Sequence, residues 1–73
     1  MPPALAVGDR VKVFLDSKFW ESAGWFEGTI LRIDPYSKHR SFYWVQLDVD
    51  VVDAQGGMTG LLSIFNPHNL QKI

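Results

Sequence analysis

The chain has 73 residues, which is enough for one domain and too short for two. Its composition is 47% hydrophobic and 14% aromatic with a net charge of −1, and this combination excludes an intrinsically disordered chain. The near-neutral charge also argues against a nucleic-acid-binding domain, because such domains usually carry an excess of Lys and Arg.

The sequence contains no cysteine, so disulfide bonds, Cys-ligated zinc and thiol chemistry are excluded. A small domain without disulfide bonds is typical of a reducing compartment, and we therefore expect a cytoplasmic protein. Residues 1–7 lack the positive region and the long apolar run of a signal peptide. No segment approaches about 18 consecutive apolar residues, so no membrane span is predicted.

The chain begins with a predicted extended lead-in over residues 1–7. A Gly-Asp turn follows, and then a strand over Arg10–Leu15 in which hydrophobic residues occupy every second position. Val11, Val13 and Leu15 are predicted to face the core, and the residues between them are predicted to face outwards.

Residues 16–24 are predicted to form a loop, and residues 25–33 a second strand. Gly28 lies inside this strand, where a glycine often marks a tight bend or a close approach of two backbones. Ile33 breaks the alternation of the strand. We predict a bulge near Leu31 that returns Ile33 to the core side.

The rest of the sequence reads as three more strands separated by turns. The predicted elements are a basic turn at residues 34–41, a third strand at 42–48, an acidic hairpin loop at 49–58, a fourth strand at 59–65, a 3₁₀ turn at 66–69 and a last strand at 70–73. An extension of the third strand through Val51 is left open as an alternative to a loop that is irregular throughout. Five short strands without a helix predict an all-β fold, a single five-stranded antiparallel SH3-like barrel over residues 8–73 with a short 3₁₀ turn before the last strand. The fourth strand is poor in polar residues (Leu61, Leu62, Ile64 and Phe65), and we expect it to lie at an edge, where it could pair with another chain by strand addition.

Three segments carry a resemblance to known SH3-like barrels. The segments "GDRVKV", "WFEGTILRI" and "VQLD" resemble those of Tudor and Agenet domains. The size of the chain and its Gly-Asp-Arg-Val opening are similar to the small SH3-like subunits of photosynthetic electron transfer, such as those of photosystem I and of ferredoxin–thioredoxin reductase. The resemblance implies a barrel that binds a partner and does not catalyse a reaction. The Ala-Leu-Tyr-Asp-Tyr run of signalling SH3 domains is absent, which argues against their usual recognition of polyproline peptides.

Aromatic side chains outside the predicted core are the main candidates for a binding surface. Exposed Trp and Tyr are typical anchors of protein interfaces, and rings that enclose a cation can bind methylated Lys or Arg. The basic turn adds charges that suit an acidic partner. The competing interpretation is that the rings fill or cover the barrel and that the basic residues form an ordinary solvated turn. The predicted partner-binding residues are Phe19, Trp20, Trp25, Tyr36, Lys38, Arg40 and Trp44.

These residues support three functional hypotheses. The first is a non-enzymatic protein-interaction module, or a small accessory subunit of a larger complex, that binds another protein or a peptide through surface aromatics and the basic loop. The second is a Tudor-like reader of methylated Lys or Arg peptides. The third is a nucleic-acid-binding small barrel, which the net charge disfavours. The sequence leaves the partner and the oligomeric state open.

Catalysis, a metal site and a cofactor are not expected. His39 and His68 are far apart in the sequence and have no neighbouring Cys or paired carboxylates, whereas zinc needs three or four ligands. The acidic residues Asp48, Asp50 and Asp53 lack the further oxygen ligands and the terminal Glu of a calcium-binding loop. No motif orders a Ser, a His and an Asp into a nucleophilic site.

Overall fold

The computed structural model describes residues 5–73, apart from the side chain of Pro67. The predicted lead-in therefore lies in part outside the described residues. The elements are strands β1 (Arg10–Leu15), β2 (Gly24–Pro35), β3 (Ser41–Val52), β4 (Met58–Ile64) and β5 (Leu70–Lys72), with a 3₁₀ turn at Pro67–Asn69 before β5. No α-helix occurs over this part of the chain, and accordingly no helix there is long and apolar enough to cross a membrane.

All five strands belong to one antiparallel sheet with the order β4-β3-β2-β1-β5. The predicted all-β fold with five antiparallel strands is confirmed, and so is the position of the fourth strand at an edge of the sheet. Within residues 5–73 no ladder joins the two edge strands, β4 and β5, so the sheet is open. Closure into an SH3-like barrel therefore stays a prediction.

The buried core lies on one face of the bent sheet and consists of aliphatic side chains only. Its members are Val11, Val13, Leu15, Ile30, Val45, Leu47, Val51, Leu62 and Leu70. Each strand contributes to this set, so no strand can leave the sheet without exposing apolar surface. Full burial of one such side chain stabilises the fold by about 1.5–3 kcal/mol. The predicted inward face of β1 is confirmed.

A bulge at Leu31 shifts the register between β2 and β3. Ile30 pairs with Val45, but the next pair joins Arg32 to Trp44, so Leu31 is the additional residue. The bulge places Leu31 on the outside, where it is 51% exposed, and returns Ile33 to the edge of the core. The predicted bulge is thus confirmed.

Strand β3 continues past Asp48, as the alternative with a strand extension through Val51 predicts, and the acidic loop is correspondingly shorter. A second register shift, between Gln46 and Val51, lets β3 continue to Val52 and buries Val51 in the core. The remaining turn is organised by Asp53, whose Oδ1 accepts hydrogen bonds from the backbone N–H groups of Gln55 and Gly57 at 2.9 Å each. Of the two possibilities for residues 49–58, a long loop throughout or a strand extension through Val51, the structure has the strand extension.

An ion pair links β1 to β3 on the outer face of the sheet. The guanidinium of Arg10 donates a hydrogen bond of 2.8 Å to Asp48 Oδ1 and lies 3.6 Å from Glu27. The hydrogen bond from Arg10 holds the pKa of Asp48 below its ordinary value. These groups are exposed, and exposed ion pairs stabilise folds only weakly, so the buried aliphatic face holds the sheet together.

Gly28 allows the backbones of β2 and β3 to approach closely. A Cβ atom at this position would lie 2.5 Å from the carbonyl oxygen of Gln46 and 2.9 Å from Cγ1 of Val45. The first contact involves a backbone atom of the adjacent strand, which cannot move without disturbing the ladder. The predicted close approach at Gly28 is confirmed.

Replacing Gly28 with Ala is expected to lower the free energy of unfolding by about 1–3 kcal/mol, the usual cost of overpacking. Urea unfolding followed by circular dichroism measures the change. The matched control is Glu27→Ala on the exposed face of the same strand, which should stay within about 0.5 kcal/mol of the parent. Equal stability of the two variants would show that the strands can separate at Gly28 without cost.

Candidate binding groove

The loop between β1 and β2 is held against the end of β3 by backbone hydrogen bonds. The N–H groups of Glu21 and Ser22 both donate to the carbonyl of Val52, at 2.9 and 3.0 Å, and the N–H of Val52 donates to Oγ of Ser22 at 3.0 Å. The N–H of Ala54 donates to the carbonyl of Phe19 at 3.0 Å. These bonds give the loop a defined position, although it contains no helix and no extended strand.

A hydrogen-bonded turn at the start of the same loop fixes the backbone of two aromatic residues, Phe19 and Trp20. The N–H groups of Phe19 and Trp20 donate to the carbonyl of Asp16 at 3.1 and 3.0 Å. Trp20 forms an isolated bridge with Asp53 and packs in part against the core, whereas the side chain of Phe19 is 67% exposed. The two neighbouring rings therefore differ in role, because Trp20 contributes to packing and Phe19 faces solvent.

A groove of about 640 Å³ separates the free edge of β4 from the end of β1 and the loop that follows it. This volume is within the range of roughly 300–1,000 Å³ that is usual for ligand sites. We call it the aromatic groove. Its lining residues are Phe14, Leu15, Asp16, Phe19 and Trp20 on one wall, residues 61–65 with Trp44 on the other, and Asn66 and Asn69 at one end.

A pair of rings extends the first wall over the outer face of the sheet. Phe14 and Trp25 are directly opposite each other in the β1–β2 ladder, and their ring centroids are 5.3 Å apart. The ammonium group of Lys12 lies 5.1 Å from the centre of the Trp25 ring. Trp25 is 44% exposed, so the Phe14–Trp25 pair forms a solvent-accessible aromatic surface beside the groove.

A second ring cluster lies at the Phe65 end of the groove. Phe65 packs against Phe42 with 4.7 Å between centroids, and Tyr36 meets both rings nearly at right angles. The guanidinium carbon of Arg40 lies 5.2 Å from the centre of the Phe65 ring. The loop between β2 and β3 thus contributes a ring and a cation to this end of the groove.

Trp44 is fixed by a hydrogen bond from its indole ring. Its Nε1–H donates to Oδ2 of Asp34 at 3.0 Å, and the other oxygen of Asp34 accepts a hydrogen bond of 2.7 Å from Nε of Arg32. These donors, Arg32 above all and then Trp44, lower the pKa of Asp34, although partial burial acts in the opposite direction. The ring is therefore held in one orientation beside the groove.

The structure brings most of the predicted binding residues to the aromatic groove or its borders. Phe19, Trp20 and Trp44 line it, and Trp25 adjoins it through Phe14. Tyr36 and Arg40 adjoin it through Phe65. Lys38 is exposed on the loop after β2 and is not among the lining residues.

Sequence reasoning considered Leu61, Leu62, Ile64 and Phe65 only as an edge strand that could pair with another chain. It did not assign Phe14 or Phe42 to the binding surface. Phe14 is the residue that alternation directs outwards from β1, so an outward-facing Phe in a polar position was a usable signal. Phe65 directly follows β4, and nothing near it in the sequence indicates that it meets Tyr36 and Phe42.

A shallower apolar depression lies on the outer face of the sheet. It has a volume of about 320 Å³ and is lined by Leu31, Arg32, Trp44 and Leu61. Leu31, the additional residue of the bulge, lines this depression together with Trp44. Over residues 5–73 no group of three or more His, Cys, Asp or Glu side chains is arranged to hold a metal ion.

Comparisons with protein-family models, with curated proteins and with solved structures gave no match for this chain. The geometry of the aromatic groove is therefore the basis for any functional proposal.

The indole N–H of Trp44 is expected to report the protonation of Asp34. Because hydrogen bonds favour the carboxylate, the pKa of Asp34 is lower in the folded than in the unfolded chain. The contribution of Asp34 to stability is therefore complete when the pH is above 3.8, the ordinary pKa of an Asp. It is lost as the pH falls through the lower pKa that Asp34 has in the folded chain. The NMR signal of the indole proton should shift with a midpoint below pH 3.8.

The control for this titration is Asp34→Asn, which keeps the size of the side chain and removes the ionisable group. The shift should disappear in this variant. A midpoint at or above 3.8 in the parent protein would contradict the hydrogen-bonded arrangement around Asp34.

Proposed function

We propose that this protein is a non-enzymatic interaction module, acting alone or as a small accessory subunit, that binds a segment of another protein in the aromatic groove. The observation that carries the proposal is the groove itself. It is a groove of about 640 Å³ in a chain of only 73 residues, and both aromatic rings and polar side chains line it. A concave space of this size that combines aromatic side chains with a few polar groups is typical of a binding site.

We further propose that the bent sheet is an SH3-like barrel. The strand order, in which β1 pairs with both β2 and β5, supports this assignment. The bulge in β2 supports it as well, since bulges produce the bending that small barrels need. A barrel of this kind presents its loops at one end, which agrees with a groove built largely from a loop and a strand edge.

Binding in the proposed mechanism depends on aromatic anchors with charges at their border. Phe19 is exposed and lies on a loop that is already held in place, so little conformational entropy is lost when a partner covers it. Asp16 in the first wall and Arg40 beside Phe65 place opposite charges at different parts of the groove. Charges at a rim mainly control the rate and the specificity of association.

Replacing Phe19 with Ala is expected to weaken partner binding by about 5- to 30-fold, because loss of an interface anchor commonly costs about 1–2 kcal/mol. Stability should change by less than about 0.5 kcal/mol, since Phe19 is exposed. Quantitative affinity capture from the native lysate, with thermal unfolding of each variant, measures both. Trp20→Ala is a poorer choice, because Trp20 packs against the core.

The matched control is Val49→Ala, which removes an exposed apolar side chain of β3 that does not line the groove. This variant should retain the partner. If both variants lose the same captured protein, or if neither does, the groove is not the binding site and the proposal fails.

The second candidate is a Tudor-like reader of methylated Lys or Arg. It is supported by the cation–π contacts at two exposed ring groups, where Arg40 covers Phe65 and Lys12 covers Trp25. Tyr36 is 69% exposed and stands at right angles to its neighbours, as a wall of a cage does. The same contacts mean that an incoming methylated side chain has to displace one of the chain's own cations.

The reader hypothesis predicts that Arg40→Ala strengthens the binding of a trimethyl-lysine peptide, because the ring of Phe65 becomes available. Fluorescence titration with matched trimethylated and unmodified peptides measures the difference. Equal affinity for the two peptides in both the parent and the Arg40→Ala protein would exclude the reader hypothesis. A nucleic-acid partner is the third candidate, and it requires affinity for an oligonucleotide that falls steeply with salt.

A further inference from the structure

The second wall of the aromatic groove is the free edge of a strand. Five consecutive residues, 61–65, line the groove, whereas a wall made only of side chains would show every second residue of a strand. Strand β4 lies at one end of the sheet order and pairs with β3 only. The backbone of β4 therefore borders the groove directly.

The two halves of β4 differ in how their backbone groups are satisfied. In the first half, the hydroxyl of Thr59 accepts a hydrogen bond from the N–H of Leu61 and donates one to its carbonyl, and the side-chain amide of Gln46 donates to the carbonyl of Gly60. In the second half, over the part of the chain that the structure describes, no hydrogen bond outside the β3–β4 ladder reaches the backbone of residues 62–65. Side chains thus close the edge up to Leu61 and leave it open beyond.

The open half also lacks the usual protection of an edge strand. Natural edge strands are commonly blunted by charged residues or by proline, which prevent another strand from adding to them. Strand β4, with the sequence Met-Thr-Gly-Leu-Leu-Ser-Ile, contains neither. An apolar edge without such protection, facing a preformed groove, suits a backbone that adds alongside it.

We infer that the aromatic groove takes its partner by strand addition, in which an extended segment of another protein pairs with the end of β4 and the residue after it, residues 62–65. The inference rests on the proposed function, because it specifies how the same groove is filled. Alternate side chains of the segment are apolar and meet Phe19 and Trp20 on the opposite wall. The segment also carries a Lys or Arg, since Asp16 is the charged member of the described lining.

The opposite wall favours a single segment over a second folded copy of this chain. An added strand lies about 4.8 Å from β4. If that strand belonged to a second folded copy of this chain, the next strand of the copy's own sheet would lie about a further 4.8 Å away in the same direction. The loop that carries Phe19 and Trp20 occupies that direction and is held there by hydrogen bonds to β3 and the turn after it. The groove therefore has room for a strand with its side chains, and a further sheet would collide with the loop.

The experiment begins with a displayed library of random nonapeptides selected on the purified protein. The tightest peptide is synthesised unmodified, with its odd-numbered backbone amides N-methylated, and with its even-numbered amides N-methylated. In an added strand only alternate amides face the neighbouring strand, so one methylated series should bind about tenfold or more weakly and the other within about threefold of the unmodified peptide. Every second amide of residues 62–65 should gain protection from hydrogen exchange when the peptide binds.

The possible results separate the inference from the function on which it rests. A peptide that loses affinity with Phe19→Ala but responds equally to both methylated series overturns strand addition and leaves the proposed function standing. Selected peptides that are all insensitive to Phe19→Ala, or the absence of any selected peptide, overturn both. If the protein alone sediments as a dimer whose amides at residues 62–65 are already protected, a second copy occupies the edge and the inference is wrong.

Discussion

The close approach of strands β2 and β3 at Gly28 is the constraint on which the rest of the structure depends. A strand with a side chain here could not lie against the carbonyl of Gln46, and the central pair of the sheet would separate. Gly28 also pairs with Val11 of β1 and Leu47 of β3, so one position controls the spacing of three strands. The aliphatic core can form on one side of the sheet only because these strands are close together.

The groove is a consequence of an open sheet with one loop fixed across it. Within the described residues the sheet leaves the edge of β4 without a neighbouring strand, and the loop after β1 stands opposite that edge. The bonds from Glu21 and Ser22 to Val52 hold this loop at a distance, so the space between remains open. Since the same bonds tie the loop to the end of β3, the shape of the groove is part of the fold and does not depend on a partner.

Sequence patterns predicted the features that are determined locally, such as the bulge at Leu31, which follows from a single interruption of alternation. The sequence left the extension of β3 through Val51 open, because the acidic residues before it resemble a loop and only packing into the core decides that segment. In the candidate site, an aromatic residue in polar surroundings, such as Phe19, already indicated a binding surface. Which rings meet depends on the sheet order, as between Phe65 and Tyr36, and alternation along single strands contains no information about that order.

The positions of the tryptophans give the molecule an intrinsic optical probe. The chain has three of them, of which Trp20 and Trp44 line the groove and Trp25 stacks on the lining residue Phe14. Emission from an indole ring moves to shorter wavelength when water leaves its surroundings. The intrinsic fluorescence of the unlabelled protein therefore reports on the solvent exposure of this one surface. A molecule that binds there and excludes water shifts the emission maximum of the protein to shorter wavelength.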